Sequence, residues 1–278
     1  MEQIEPLALP QYEIFAVRYA NMARRRSDNF IQRDLHDGPM PLDFFVWLLK
    51  SRDNAVLIDT GFNHAMAEQR GRDWLRCPID ALRALGVNAD DIEHVVLTHL
   101  HYDHAGNLDK LPRAQFHLQE AELGYAAGPC MLHDMLRHAY AVEDVVQVVR
   151  ALYAKRLAFS TGDAELLPGI ELKLIGGHTK GLQAVRVHTQ RGWVMLASDA
   201  SHYYENLERE QPFPIVYSVA DMLAGYDIVR RGAASPAHII PGHDPQVLTR
   251  YPAWSPETPD IVCLHMDPKQ EEAWKRNK

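Results

Sequence analysis

The chain has 278 residues, 46% of them apolar, which is ample for a large buried core. Its 37 acidic against 29 basic residues give a formal charge of −8, and the densest basic run is the short Arg24–Arg26 triplet, which argues against a nucleic-acid partner held through phosphates. No stretch reaches the apolar length of a membrane span, and the opening MEQIEPLALPQYEIF is acidic and lacks the apolar core of an export signal, so a soluble cytoplasmic protein without a membrane partner is expected.

The first part reads as strands. YEIFAVRYA (12–20), LDFFVWLLK (42–50) and NAVLIDTG (54–61) are rich in β-branched and aromatic residues, and the last two are close enough to pair. CPIDALRALGV has helical spacing and stops at Gly86. IEHVVLTH and AQFHLQ (114–119) read as short buried strands. Residues 119–127 and 131–156 carry apolar positions at spacings of three and four and are predicted helical. GIELKLIGGHTKGLQAVRVHTQRGWVMLASDA is a second β region, with a hairpin at Gln190-Arg191-Gly192. VADMLAGYDIVRRGAA is predicted as a helix, AHIIPGHD as a strand ending in a turn, and the proline-rich tail YPAWSPETPDIVCLHMDPKQ as irregular. Without a repeat or a low-complexity linker, the pattern is that of one α/β domain over 1–278 with a helical insert at about 119–156. Cys77, Cys130 and Cys263 are odd in number and far apart, as expected of free thiols.

The chemistry concentrates in THLHYDHAGN, where His99, His101, Asp103 and His104 fall within six residues. Imidazole nitrogens and carboxylate oxygens suit zinc and similar divalent ions. On an extended segment His99 and His101 point the same way and could grip one ion. Asp103 and His104 follow a turn and can face a second position. Three further candidates sit just after predicted strands: His178 after LKLIGG, Asp199 after WVMLAS and His243 after HIIPG. Loops at strand ends are where chemistry collects, which groups these distant residues into one site. His94, His117, His188 and His238 stand singly on strand-like segments and are read as structural.

VLIDTG, THLHYDHAGN, GGHTKG, ASDAS and IIPGHD, in that order over roughly residues 40–245, resemble the motifs of the metallo-β-lactamase-fold superfamily. The resemblance implies an αββα four-layer sandwich of the α/β (α+β) class. It also implies two divalent metal ions, zinc by default: one on His99, His101 and His178, the other on Asp103, His104 and His243, with Asp199 bridging. Ligating histidines should donate their second N–H outward, and Asp59 is a candidate acceptor.

Within the superfamily the chain looks most like the N-acyl-homoserine lactonase group, through SDASHYYEN and the helical insert. That likeness implies a small-molecule lactone as partner, its ester ring opened by a metal-bridging hydroxide, with Asp103 or Asp199 carrying the proton to the leaving alkoxide. In that group a tyrosine three residues after the bridging aspartate bonds the substrate carbonyl. Here that position is His202, followed by Tyr203 and Tyr204, so His202, Tyr203 or Tyr204 is expected to make the bond. Met135, His138, Tyr204 and Tyr217 are candidate substrate contacts. The sequence also carries Leu182 where the superfamily often has a second histidine after its GHT motif, a position not expected to ligate. A thiolester hydrolase of the glyoxalase II type and a mononuclear-iron dioxygenase are the alternatives, the latter disfavoured by the full ligand set. No GxSxG motif supports a serine nucleophile. A homodimer is left open.

Overall fold

The computed structural model describes residues 9–32 and 36–270; the first eight residues, part of the segment tested for an export signal, lie outside the described residues. The strands are β1 (Glu13–Met22), β2 (Leu42–Lys50), β3 (Ala55–Ile58), β4 (Asp73–Trp74), β5 (His94–Val96), β6 (Gln115–Gln119), β7 (Leu157–Ser160), β8 (Ala164–Leu167), β9 (Ile170–Leu174), β10 (Gln183–Thr189), β11 (Gly192–Ser198), β12 (Ile239–Pro241) and β13 (Ile261–Cys263). The α-helices are α1 (His64–Arg70), α2 (Pro78–Ala81), α3 (Glu120–Ala126), α4 (Asp134–Arg137), α5 (Val142–Tyr153), α6 (Tyr204–Glu208), α7 (Val219–Gly232) and α8 (Gln246–Arg250).

Two sheets form. The first runs β13-β1-β2-β3-β5-β6-β7, with β4 against the end of β1; the second runs β12-β11-β10-β9-β8. The first sheet is antiparallel from β13 to β3 and parallel from β3 to β7. The central strands are apolar almost throughout because both of their faces are covered. Successive residues of β2 go to opposite sides. Phe45, Trp47 and Leu49 meet Val185, Val187 and Leu196 of the second sheet, while Phe44, Val46 and Leu48 meet Leu82, Leu85 and Val148 of the helical layer. On the far side of the second sheet, Ala184, Met195 and Ala197 pack with Val229 of α7. Helix, sheet, sheet, helix is therefore the layer order, as the motifs implied. Among the described residues no helix is long and apolar enough to cross a membrane.

The insert differs from the expected long helix. A 3₁₀ turn at Pro129–Leu132 and the single turn of α4 precede a break, and only α5 is a regular helix. At the break the backbone is taken by the histidine loop: Tyr102 donates its N–H to the Ala139 carbonyl at 2.9 Å, and His101 bridges to Tyr140. Apolar spacing alone cannot register such a tertiary competitor. The tail, expected to be irregular, supplies β13, whose Ile261, Val262 and Cys263 pair with Val17, Ala16 and Phe15 of β1. Arg18 fastens this edge by pairing with both Asp43 and Asp260.

Ile261 is fully buried, so Ile261→Ala should destabilise the protein by about 2–5 kcal/mol. Urea denaturation followed by far-UV circular dichroism checks this; an unchanged midpoint would mean that the tail strand is not part of the cooperative fold.

Candidate metal centre

Four strand ends deliver the site, two from each sheet. β3 ends at Asp59, held with φ +60°, and β5 runs into Thr98 and the histidine loop. β11 ends at Ser198, with φ +47°, so that the next residue, Asp199, turns inward; β12 leads through Gly242 to His243. Left-handed backbone at non-glycine residues is strained and persists where the surroundings fix it. Here Thr98 supplies the fixing: its backbone N–H donates to Asp59 Oδ1 at 2.7 Å, and its hydroxyl lies 2.8 Å from Asp59 Oδ2 and 2.8 Å from Ser198 Oγ. His178 comes from the turn before β10. Its neighbour Gly177 has φ +83°, and a Cβ there would lie 2.4 Å from the Met222 nitrogen, so a side chain is excluded on two counts.

All seven expected ligands converge. His99, His101 and His178 form one trio and Asp103, His104 and His243 another. Asp199 lies between them, with one oxygen toward each. Oδ2 is 3.3 Å from His178 Nε2 and 3.9 Å from His99 Nε2; Oδ1 is 3.0 Å from His243 Nε2 and 3.3 Å from His104 Nε2. Each trio joins separate loops, and all seven side chains except Asp103 are buried.

The residues fit a pair of cations. The Nε2 atoms of His99 and His104 are buried with no hydrogen-bond partner. Buried polar nitrogens are seldom left in that state without a ligand to satisfy them. The outward nitrogens, in contrast, are engaged. Nδ1 is 2.8 Å from Asp59 Oδ2 in His104, 2.7 Å from the Ile215 carbonyl in His178 and 2.8 Å from the Asp43 carbonyl in His243. Donation through Nδ1–H leaves an Nε2 lone pair aimed into the cluster, as metal binding requires. His178 Nε2 faces His101 Nδ1 at 2.9 Å, two inward nitrogens suited to one ion.

Electrostatics separates the two trios. Burial pushes the pKa of His99, His101 and His178 down, which favours the neutral ring that metal ligation requires. For His104 and His243 burial acts in the same direction, but the Asp199 and Asp103 carboxylates outweigh it and raise both. Burial would raise Asp199; His243, His104 and His202 overcome it and hold the carboxyl well below its usual range.

The other expected residues divide. His202 belongs to the site: its Nε2 is 2.9 Å from Asp199 Oδ2 and its ring stacks on Phe213 at 3.4 Å between centroids. Burial takes its pKa down to about 3. Tyr203 does not reach the cluster. Its hydroxyl donates to the Met40 and Pro41 carbonyls at 3.2 and 3.1 Å, and its ring is buried under the helical layer. Tyr204 points the other way, into the core between the sheets, with the Arg250 guanidinium 3.6 Å above its ring. Strand-like alternation after Asp199 gives these two tyrosines opposite directions, and neither is toward the ligands. Met135 and His138 line a cavity with Tyr125 and Ile215 that adjoins His101 and His178. Tyr217 packs edge-on against Tyr125.

Two groups escaped the sequence reading. Glu122, on α3, is fully buried and accepts from the Leu100 and Gly181 N–H groups and the Tyr140 hydroxyl, each at 3.0 Å. It ties the histidine loop to the insert and to the His178 turn. Nothing in QEAELGYA distinguishes it from a solvent-facing helix glutamate. The second group is Arg24, Arg70 and Arg72, which line a cavity of about 630 Å³ above the cluster together with Phe30, Tyr102 and Pro214. The singly placed histidines are structural as expected: His94 and His117 face each other at 3.1 Å, His188 bonds the Pro10 carbonyl and His238 the Arg191 carbonyl. All three cysteines are free.

The family model described as the metallo-beta-lactamase superfamily matches residues 43–256. A probable metallo-hydrolase of Mycobacterium tuberculosis is 27% identical over 239 residues, covering 79% of this chain and 73% of its own length. An N-acyl homoserine lactonase of Bacillus thuringiensis is 28% identical over 190 residues, covering 62% of this chain and 69% of its own length. Among solved structures, an N-acyl homoserine lactone hydrolase with N-hexanoyl-L-homoserine bound at its catalytic metal centre superposes with a TM-score of 0.71 at 22% identity, over 86% of this chain and 96% of that one. A dizinc quorum-quenching lactonase gives 0.67 at 17% identity, over 87% and 92%. At these identities the structural likeness is one of fold.

Asp59 touches no inward nitrogen, yet it orients His104. Asp59→Asn should therefore weaken metal retention by about 10–100-fold while the fold persists. Competition with a chromophoric chelator measures this; retention equal to that of the unaltered protein would remove Asp59 from the site.

Proposed function

Because the chain belongs to the metallo-beta-lactamase superfamily, we propose that it is a dinuclear-metal hydrolase that opens the ester ring of a lactone, an N-acyl-homoserine lactone or a related small lactone. The observation that carries the reading is the Asp199 carboxylate, with one oxygen toward each of two separate ligand trios. A carboxylate so placed suits two cations better than one. The relatives that act on lactones supply the reaction class.

His99, His101 and His178 would hold one ion, Asp103, His104 and His243 the other, and Asp199 both. Zinc suits the ligand chemistry. When bound, such a pair activates water near neutral pH and polarises a carbonyl oxygen. The remaining steps belong to this chain's own groups. Phe30, Phe44, Pro214 and Ile215 line the approach and limit bulk water around the ester. His202, fixed by Phe213 and lining the same cavity, keeps an imidazole beside Asp199 where the carbonyl would arrive. This replaces the tyrosine hydroxyl used in the lactonase group. Asp103 is the most open of the ligating carboxylates, its side chain 12% exposed against 4% for Asp199. It is the better placed to carry a proton from the attacking water to the alkoxide released when the ring C–O bond breaks.

The test combines elemental analysis with a pH-indicator assay on N-hexanoyl-homoserine lactone and γ-butyrolactone. Two metal ions per chain and acid release are expected. Chelation should abolish the release, and Asp199→Ala should lower it by at least about a hundredfold with loss of bound metal. A metal-replete protein that opens no lactone would overturn the reading.

A further inference from the structure

The cavity above the cluster is basic on one wall. Arg24 enters from the segment after β1, and Arg70 and Arg72 from the end of α1 and the turn beyond it. All three are half-buried. Several other half-buried arginines face a carboxylate, Arg18 with Asp43 and Asp260, Arg76 with Asp260 and Arg26 with Glu205, whereas Arg156, away from this cavity, bonds the Ala114 and Leu111 carbonyls. Arg24, Arg70 and Arg72 instead bond neutral oxygens, and none has an ion-pair partner among the described residues. Arg70 donates to the His138 and Tyr140 carbonyls at 2.8 and 3.1 Å, with its guanidinium 4.0 Å from the Tyr102 ring centre. Arg72 donates through Nε to the Tyr102 hydroxyl at 2.9 Å and through Nη1 to the Arg70 carbonyl at 2.8 Å. Arg24 donates through Nη2 to the Asp28 carbonyl at 2.6 Å.

Two kinds of group follow from this inventory. Arg70 has both terminal nitrogens engaged and acts as a strut between α1 and the insert. Arg72 keeps Nη2, and Arg24 keeps Nε and Nη1. Tyr102 lies between His101 and Asp103 in the histidine loop, so Arg72 is fastened to the segment that carries the ligands. The acidic residues lining the same cavity are Asp28, Asp103 and Asp199, and the last two belong to the metal site. Among the residues lining the cavity this leaves three positive charges against one negative, and Asp144, outside the lining, acts on Arg70. A neutral or apolar side arm placed there would strip water from guanidinium groups and return nothing. A carboxylate entering this cavity would find the open nitrogens of Arg24 and Arg72 along its wall, and guanidinium forks match its geometry.

We propose that the substrate is an ester or lactone bearing a carboxylate away from the scissile bond, and that Arg24 and Arg72 receive that carboxylate. The reaction is the one given above, on which the inference rests: water adds to the ester carbonyl, the ring C–O bond breaks, and the alkoxide takes the proton. What the arginines decide is which lactone is accepted.

The experiment compares the γ-lactone of α-hydroxyglutarate with its neutral carboxamide, a pair that differs in charge and hardly in shape. The metal-loaded protein should favour the carboxylate in kcat/KM by about tenfold or more, chiefly through KM. Arg24→Met and Arg72→Met should each reduce that preference about tenfold, and Arg24→Lys should restore much of it. Thermal melting reports whether the variants fold; Arg24, outside the Tyr102 network, is the informative one should Arg72→Met unfold. Equal use of both lactones, or a preference indifferent to Arg24, overturns the proposal and leaves the lactonase reading standing. If neither lactone is opened, calorimetric titration of open-chain α-hydroxyglutarate against γ-hydroxybutyrate decides. Tighter binding of the former that depends on Arg24 keeps the anion site while the lactonase reading falls; equal binding removes the anion site.

Discussion

The structure turns on a single buried carboxylate. Asp199 has five imidazoles within 3.9 Å, those of His99, His104, His178, His202 and His243, and almost no contact with solvent. A carboxylate taken out of water is costly unless positive charge or hydrogen bonds surround it. The inward lone pairs of His99, His101 and His178, whose pKa values burial lowers, are crowded beside it and are costly as well. A metal cation held between the two kinds of donor would resolve both problems together. Much of what surrounds the site serves to hold this otherwise unfavourable assembly in place. The left-handed residues at the ends of β3 and β11, and the Thr98 hydroxyl between them, fix the ends of strands belonging to different sheets. Gln183 adds to this join, donating from its side chain to the carbonyls of Leu97 and His117.

Most of this was legible in the chain because it is local. Ligands at the ends of buried strands leave two signals, an apolar run and a polar cluster after it. Both are present at HVVLTHLHYDH, WVMLASD and HIIPGHD. Continuous apolar character in LDFFVWLL reflects a strand covered on both faces, which is how the sandwich itself showed through. What did not show depends on distant partners. Residues 131–156 look like one helix until the histidine loop competes for the backbone at Ala139 and Tyr140. PDIVC looks like tail until β1 offers an unpaired edge. Tyr203 and Tyr204 follow Asp199 in sequence, but the backbone direction after Ser201 takes them to opposite cores.

Glu122 shows how the insert and the site are coupled. Its carboxylate is buried, and burial raises its pKa, while the N–H groups of Leu100 and Gly181 and the Tyr140 hydroxyl oppose that shift. The three donors come from the histidine loop, the turn carrying His178 and the broken insert. A group with that many obligations cannot be moved without disturbing ligands on both sides of one trio. The insert is thereby part of the support of this cluster, even though its Leu132 is largely exposed.

The same distinction separates what the site does from what it does it to. The seven clustered residues follow strands whose positions the core dictates. The walls of the cavity come from elsewhere: the segment after β1, the end of α1, the insert, and Pro214 and Ile215 before α7. These segments carry few core residues and are free to vary without unfolding the sheets. Arg24, Arg70 and Arg72 belong to two such segments, some fifty residues apart in the chain, and only the fold shows that they share a wall. The strand ends thus fix the cluster, while the charges at the rim of the cavity are brought by irregular segments that the sheets do not constrain.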